Sequence, residues 1–331
     1  MALTLAESAK LSQDNLHRGV LETFVQESPI LDRIPFMQIE GNAYAYNEEA
    51  TLPGVAFRKV NEAYTESTGT VNQKTETLYI LGGDADVDRF IVQTRGNLND
   101  QRAVQTRGNL NDQRAVQTAL KTKALSYEFQ DAFFNGDHDT NEQEFDGLKN
   151  RLTGGQVITA AENGLNVLGD GDSDVHAFLD KLDELLAAVP GINGTNGAIY
   201  ANASIIGKIR SALRHVGEST ALLQDVAGKR VLMWNGIPIL DPGNTASGTP
   251  VLPQTETQGT ATSKASSIYA VKFGESPEDG GVTGLTNGGV MVDDLGLLQD
   301  KPVYRTRIEL YAGLAVFSGK AAARLQGVLN G

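Results

Sequence analysis

The spacing of hydrophobic and polar positions changes several times along this chain, and each change marks an element. Residues 3–27 place Leu3, Leu5, Ala9, Leu16, Val20, Leu21, Phe24 and Val25 at roughly helical intervals, and Ser28-Pro29 stops the pattern. One or two short helices of an N-terminal arm are expected there. Ile30, Leu31, Ile34 and Phe36, interrupted by Pro35, read as an apolar anchor more than a regular element. Residues 43–46 and 75–80 alternate as strands do, with a polar stretch containing Pro53, Gly54 and Gly69 between them. Residues 84–88 read as a helix start. Ala115, Ala119, Thr122, Leu125, Phe129, Ala132 and Phe133 then follow a 3.6-residue period, the clearest helix in the chain, which Asn135-Gly136-Asp137 ends.

Residues 143–150 predict a turn into a strand at 157–159. A second helix is expected over 175–189, capped by Asp174, with Phe178, Leu179, Leu182, Leu185, Leu186 and Val189 on one face and Pro190-Gly191 as its stop. A short buried strand at 198–200, a helix over 204–215 and a hairpin of 230–234 with 237–240 across Asn235-Gly236 come next. Residues 241–267, rich in Ser, Thr, Gly and Pro, predict an exposed loop, followed by a strand at 268–273 and a Gly-rich loop through Gly289. In the late strand 303–311 one face carries Arg305, Arg307 and Glu309 and the other Tyr304, Ile308 and Leu310; residues 314–317 continue it in a more buried form.

The excursion at 40–81 is long for a chain of 331 residues. Two strands of about 15 residues reach roughly 50 Å at 3.3 Å per residue, and a compact body of this length is on the order of 50 Å across. A polar two-stranded ribbon is marginal alone in water, so another copy of the protein is the simplest partner to hold it; a hairpin folded back on its own body is the alternative. Between this arm and the long helix the segment QTRGNLNDQRAV at 93–104 recurs unchanged at 105–116. Solenoid repeats are longer and drift apart, so this is a duplication event, not a module. If both copies were helical, the rod would lengthen by about 18 Å and its start would turn by roughly 120°. The second copy is therefore expected to begin the helix near Asn111 or Asp112, with the first absorbed as a loop or short helix broken near Gly96 or Gly108.

Composition narrows the function classes. The 36 glycines argue for many turns, hence a loop-rich α+β fold. A net charge of -13 argues against a protein that seeks nucleic acid by its own electrostatics, although a container confines DNA by geometry. The absence of cysteine removes disulfides, thiolate metal sites and cysteine nucleophiles. The N-terminus lacks a secretory pattern and no apolar run approaches 18 residues, so no membrane partner is expected.

No catalytic constellation emerges. The segment from Gly313 to Lys320 is one residue too long for a phosphate loop, and Ala321 stands where Ser or Thr would bind magnesium. Gly217-Glu218-Ser219-Thr220-Ala221 approaches a nucleophile elbow, with His215 nearby, but ends in Ala and follows a helix; a serine hydrolase using Ser219 and His215 is a remote alternative. Asp170-Gly171-Asp172-Ser173-Asp174 and Asp137-His138-Asp139-Thr140-Asn141 open like calcium loops but lack Gly at the sixth and Glu at the twelfth position, so they read as turns and caps. His17, His138, His176 and His215 show no paired spacing. Catalytic residues, cofactor and metal are all expected to be none.

The order of elements resembles the major capsid proteins of tailed bacterial viruses, with the fold named after phage HK97. The resemblance covers nearly the whole chain: the N-terminal arm, the extended loop 40–81, the helix ending FQDAFFNGD, the turn FDGLKN at 145–150, the hairpin VLMWNGIPIL and the ending YRTRIELYAGLAVFSGKAAARLQG. It implies an N-terminal arm (1–39), an extended loop (40–81), a peripheral domain with the spine helix (82–150 and 290–318) and an axial domain (151–289 and 319–331). It also implies a subunit that builds pentamers and hexamers of an icosahedral shell around double-stranded DNA, contacted non-specifically, as part of a virion assembled in the bacterial cytoplasm. Because Met1 sits almost at the arm, a separate scaffolding protein or none is implied, together with a portal. Some relatives crosslink a loop Lys to an Asn; Lys59 and Lys74 lie in this loop without matching that pattern, and salt bridging is their expected role. Glu48, Glu49, Arg58, Lys59, Glu62, Lys74, Arg305, Arg307 and Glu309 are the candidate contacts between subunits. Encapsulins, cellular compartments of the same fold, are the nearest alternative.

Overall fold

The computed structural model describes residues 28–91, 109–169, 172–216, 223–226 and 229–330. The expected N-terminal helices, the first repeat copy and Ser219 lie outside the described residues. Ser28, Ile30, Leu31 and Ile34 are buried and form the expected anchor, with Leu31 N–H donating to Ser28 Oγ at 3.2 Å. The chain then forms β1 (Phe36–Gln38), β2 (Ala43–Thr51), β3 (Thr70–Thr77) and β4 (Tyr79–Asp88). Helix α1 (Asn109–Asn135) and the short α2 (Leu148–Arg151) follow, then β5 (Val157–Thr159), β6 (Leu165–Asn166), α3 (Asp172–Ala187), β7 (Gly197–Tyr200) and α4 (Ala203–Val216). Strands β8 (Leu223–Val226), β9 (Lys229–Trp234), β10 (Ile237–Leu240), β11 (Ala265–Lys272), β12 (Val282–Leu297), β13 (Val303–Val316) and β14 (Ala322–Leu329) complete the described chain.

Three sheets result. A four-stranded sheet in the order β1-β12-β13-β4 packs one face on α1: Ile308, Leu310, Ala312 and Leu314 meet Phe129 and Phe133 in one apolar cluster. An eight-stranded sheet runs β5-β14-β11-β7-β10-β9-β8, with β6 also beside β14, and buries Phe178, Leu182 and Leu185 of α3 and Ile205, Ile209 and Leu213 of α4 in a second cluster. Among the described residues, strands β2 and β3 pair only with each other.

Residues 84–88 are the end of β4, with Asp84, Asp86 and Asp88 in register with Arg307, Arg305 and Val303 of β13, and the expected helix start falls at their last residue: residues 89–91 are helical and Phe90 N–H donates to Asp88 Oδ1 at 2.7 Å. A polar-apolar alternation of period two had the strand signature, and the acidic residues masked it. Phe36 and its neighbours form β1, parallel to β12, besides anchoring the chain. The stretch expected to be one strand over 75–80 breaks at Leu78, whose N–H donates to Asn42 O at 2.8 Å, so the arm strands are nine and eight residues long instead of about 15.

The largest departure is β12. Its residues through Gly289 read as a Gly-rich loop, yet it pairs antiparallel with β13 along its length. Its register shifts between Thr286 and Val290 and between Asp294 and Gly296, and Gly288, Gly289 and Gly296 hold φ of 83°, 70° and 68° there. Glycine serves these bulges because they need the left-handed region. Residues 241–267 contain a buried plug, Val251 and Leu252, and β11 starts at Ala265, three residues before the expected strand.

The long helix buries Thr118, Thr122, Leu125, Ser126, Phe129, Gln130 and Phe133, while Ala119, expected on the inner face, is exposed. Hydroxyls are tolerated in that stripe because Thr122 Oγ1 donates to Thr118 O at 2.8 Å and Ser126 Oγ to Lys123 O at 2.8 Å. The described part of the helix runs from Asn109, inside the second repeat copy, and the break expected near Gly96 or Gly108 lies outside the described residues. The Asn235-Gly236 turn is as expected, with φ of 49° and 77°.

Candidate functional site

The arm is a ladder from Ala43 opposite Thr77 to Thr51 opposite Thr70, closed by residues 52–69. The tip is organised by its own polar groups. Arg58 Nη1 donates to Lys59 O at 3.3 Å and Glu62 O at 3.2 Å and lies 5.1 Å over the Tyr64 ring. Lys59 N–H donates to Glu62 Oε2 at 3.1 Å, Ser67 Oγ to Gly54 O at 2.9 Å, and Asn61 turns the chain with φ of 69°. With the polar groups satisfied locally, the apolar ones point outward: Val55 is 95% exposed, Phe57 fully exposed and Val60 88% exposed. Burying an aliphatic or aromatic side chain of this size is worth about 1.5–3 kcal/mol.

The root is fastened at both strands. On β2, Tyr44 and Tyr46 meet Phe317 edge-on at 6.3 and 5.0 Å, and Tyr46 Oη donates to Val316 O at 2.9 Å. On β3, Glu76 receives both Arg151 Nη atoms, at 2.6 and 2.7 Å.

The outward face of the four-stranded sheet is charged. Arg305 Nε and Nη2 grip Asp86 at 2.7 Å each, Arg307 Nε and Nη2 grip Asp84 at 2.8 and 3.1 Å, and Arg305 Nη1 reaches Asp84 at 3.1 Å. Hydrogen bonds from Arg307 hold the Asp84 carboxyl below the usual aspartate range, and those from Arg305 do the same for Asp86. Glu309 Oε1 lies 3.7 Å from Arg307.

These facts place the candidate contacts. Arg58, Lys59 and Glu62 sit together at the tip, where their hydrogen bonds stay within residues 58–64 among the described residues. Glu48 and Glu49 register with Asn72 and Val71, and Lys74 with Tyr46. Arg305, Arg307 and Glu309 lie on the sheet face, and within one chain no hydrogen bond or ion pair among the described residues links that face to the tip. Asp84, Asp86, Glu76 and Arg151 were missed as partners; acids two apart in one segment and arginines two apart in another were the available signal.

The discarded motifs stay ordinary. Gly313 lies in β13 and Lys320 in a turn leading to β14, so no helix follows to cradle a phosphate. His138 Nδ1 is 3.1 Å from Glu144 O inside a turn, His176 is exposed on α3, and His215 is exposed in the last turn of α4. Asp137 accepts from Thr140 Oγ1 at 2.6 Å as a turn residue. Among the described residues no group of three or more His, Cys, Asp or Glu is placed to hold a metal ion, and no helix is long and apolar enough to cross a membrane.

The family model of major capsid protein GP7 matches residues 12–177 of this chain. No curated protein matches it. Among solved structures, the holo-SrpI encapsulin complex of Synechococcus elongatus PCC 7942 is similar at a TM-score of 0.62, with 19% identity over 91% of this chain and 87% of that one. Mycobacterium phage Bobi gives 0.56, with 13% identity over 91% and 90%. The capsid of the native GTA particle gives 0.55, with 15% identity over 92% and 90%. At these identities the likeness establishes the fold, which is the HK97-like one.

Proposed function

The chain belongs to the major capsid protein GP7 family, and from that premise we propose that its copies assemble as pentamers and hexamers of an icosahedral shell that encloses the double-stranded DNA of a tailed phage. The observation that carries this reading is the arm tip, where Val55, Phe57 and Val60 have no cover among the described residues of their own chain. A second copy supplies that cover. In this reading the four-stranded sheet with α1 forms the peripheral domain, and the eight-stranded sheet with α3 and α4 forms the axial domain around the five- and six-fold axes. The tip residues Arg58, Lys59 and Glu62 meet a neighbour's charged face, where Asp84, Asp86, Glu309, Arg305 and Arg307 offer both signs of charge. Glu48, Glu49 and Lys74 line the flanks of the same contact. A separate scaffolding protein and a portal complete the assembly in the host cytoplasm, and the packaged DNA is held by confinement more than by phosphate contacts.

The likeness to an encapsulin at a TM-score of 0.62 favours one second reading, a protein compartment with protein cargo. Family membership favours a structural role over the hydrolase alternative. Purified protein, alone or with its scaffold, is expected to form hollow shells visible by negative-stain microscopy, and virions to hold nuclease-protected double-stranded DNA. A stable monomer under every assembly condition overturns the shell, and native particles filled with protein in place of DNA select the compartment.

A further inference from the structure

The arm leaves the body at a joint fastened on β2 by Tyr44 and Tyr46 and on β3 by a single side chain, Arg151. Arg151 ends α2, a single turn held by Leu148 and Leu152, both buried, so its backbone belongs to the body. Its Nε donates to Asp146 O at 2.7 Å, which fixes the plane of the guanidinium, and its two Nη atoms then meet both carboxylate oxygens of Glu76 on β3. Both side chains are mostly buried, at 17% and 14% exposure. Burial works against the charged guanidinium, but the hydrogen bonds and charge of Glu76, together with Tyr46 and Asp146, more than offset it and raise its pKa. Directly across the ladder from Glu76 stands Tyr44, and Tyr46 Oη lies 3.4 Å from Glu76 Oε1 while donating to Val316 O. The two strands of the arm are thereby tied to different parts of the body.

Beside the pair lies a cavity of about 390 Å³ lined by Tyr46, Glu76, Arg151, Gln156 and Val316 among others. Packing alone does not brace the root on that side. We propose that Arg151 is a positioning residue of shell assembly: by clamping Glu76 it sets the angle at which the arm departs, and so where the tip meets a second copy. Eight residues of ladder span roughly 26 Å, so a tilt of about 10° at the root moves its far end by roughly 5 Å. Side-chain contacts require approach within about 4–4.5 Å, and a displacement of that size breaks the register of the docked tip. A lysine does not reproduce the bidentate fork.

This inference rests on the shell-forming reading, and the two are separated by measuring the arm in the unassembled subunit. The chain has no cysteine, so Asn72→Cys on β3 and Glu142→Cys on the body, both at exposed positions, accept spin labels without background. Pulsed electron resonance is expected to give one narrow distance population in the labelled parent. Arg151→Met broadens and shifts it, Arg151→Lys does so to a smaller degree, and Glu76→Arg combined with Arg151→Glu narrows it again. In the unlabelled protein Arg151→Met raises the subunit concentration needed for shells about tenfold, equivalent to about 1.4 kcal/mol per subunit. An unchanged distance distribution in Arg151→Met overturns the clamp; if that variant loses its near-ultraviolet circular dichroism, an unchanged distribution in Arg151→Lys overturns it instead. A parent that never assembles, with distances behaving as stated, removes the shell reading and leaves the clamp standing.

Discussion

Gly147 has no room for a side chain. A Cβ there would lie 2.6 Å from Ala132 O, 2.7 Å from Gly136 N and 2.7 Å from Phe134 C, all backbone atoms. The crowding arises because Gly147 N–H donates to Gly136 O at 2.9 Å and Asn150 Nδ2 donates to the same carbonyl at 3.2 Å, so the turn after the long helix folds back onto the helix end. Gly147→Ala is therefore expected to lower stability by about 1–3 kcal/mol, the usual cost of overpacking. Gly155→Ala, where nothing lies within 4 Å, is the matched control and should stay within about 0.5 kcal/mol of the parent. Urea titration of both variants checks this, and equal effects would refute the interlock. The motif FDGLKN was legible in the sequence as a turn, but the close approach that demands its glycine joins residues that only folding brings together. At the candidate site the same holds: Arg151 is one basic residue among 28 Lys and Arg until Glu76 faces it.

Among the elements, the pairing of β4 with β13 sets two aspartates against two arginines across more than 200 residues of sequence. Asp84 and Asp86 titrate below the ordinary aspartate value of 3.8 because Arg307 and Arg305 hydrogen-bond their charged forms. A depressed carboxyl pKa contributes stability that is complete above the ordinary value and is lost as pH falls through the lowered one. The melting temperature of the parent should thus fall on acidification below about pH 4, and a combined Asp84→Asn, Asp86→Asn variant should show a shallower fall over the same range. Parallel curves for the two proteins would show that these pairs do not carry the acid sensitivity. Alternation at 84–88 was present in the sequence, but three aspartates in five residues carry two signals, a strand and a helix cap, and only Asp88 serves the second, at the helical residues 89–91. Strand β12 was hidden for a related reason: its bulge glycines look like loop until β13 lies alongside.

At the level of the complete subunit, the proposed shell has the arm serve neighbours and the body fold without it. Glu49 lies opposite Val71 in the ladder, so removing residues 50–70 and closing the gap with an Asn-Gly turn leaves the root contacts of Tyr44, Tyr46 and Glu76 in place. That subunit is expected to melt cooperatively near the parent temperature and to form no shells by negative-stain microscopy. Loss of the folded subunit would mean the arm stabilises its own body, and normal shells would mean the tip is not the assembly contact. The same deletion removes the exposed Val55, Phe57 and Val60, so the shortened subunit should also be the more soluble one before assembly.

Features that neighbouring residues decide among themselves could be read along the chain. The 3.6-residue periods of α1, α3 and α4 and the Asn235-Gly236 turn are local, because a helix face or a left-handed turn is specified within a few positions. The order of these elements also carried the family resemblance. Which strands pair, where the charged face finds its counter-ions and which residue faces Glu76 emerge on folding, because those interactions join residues far apart in sequence. Long-range pairing is selected by the joint burial and hydrogen bonding of both partners, and neither partner encodes it alone.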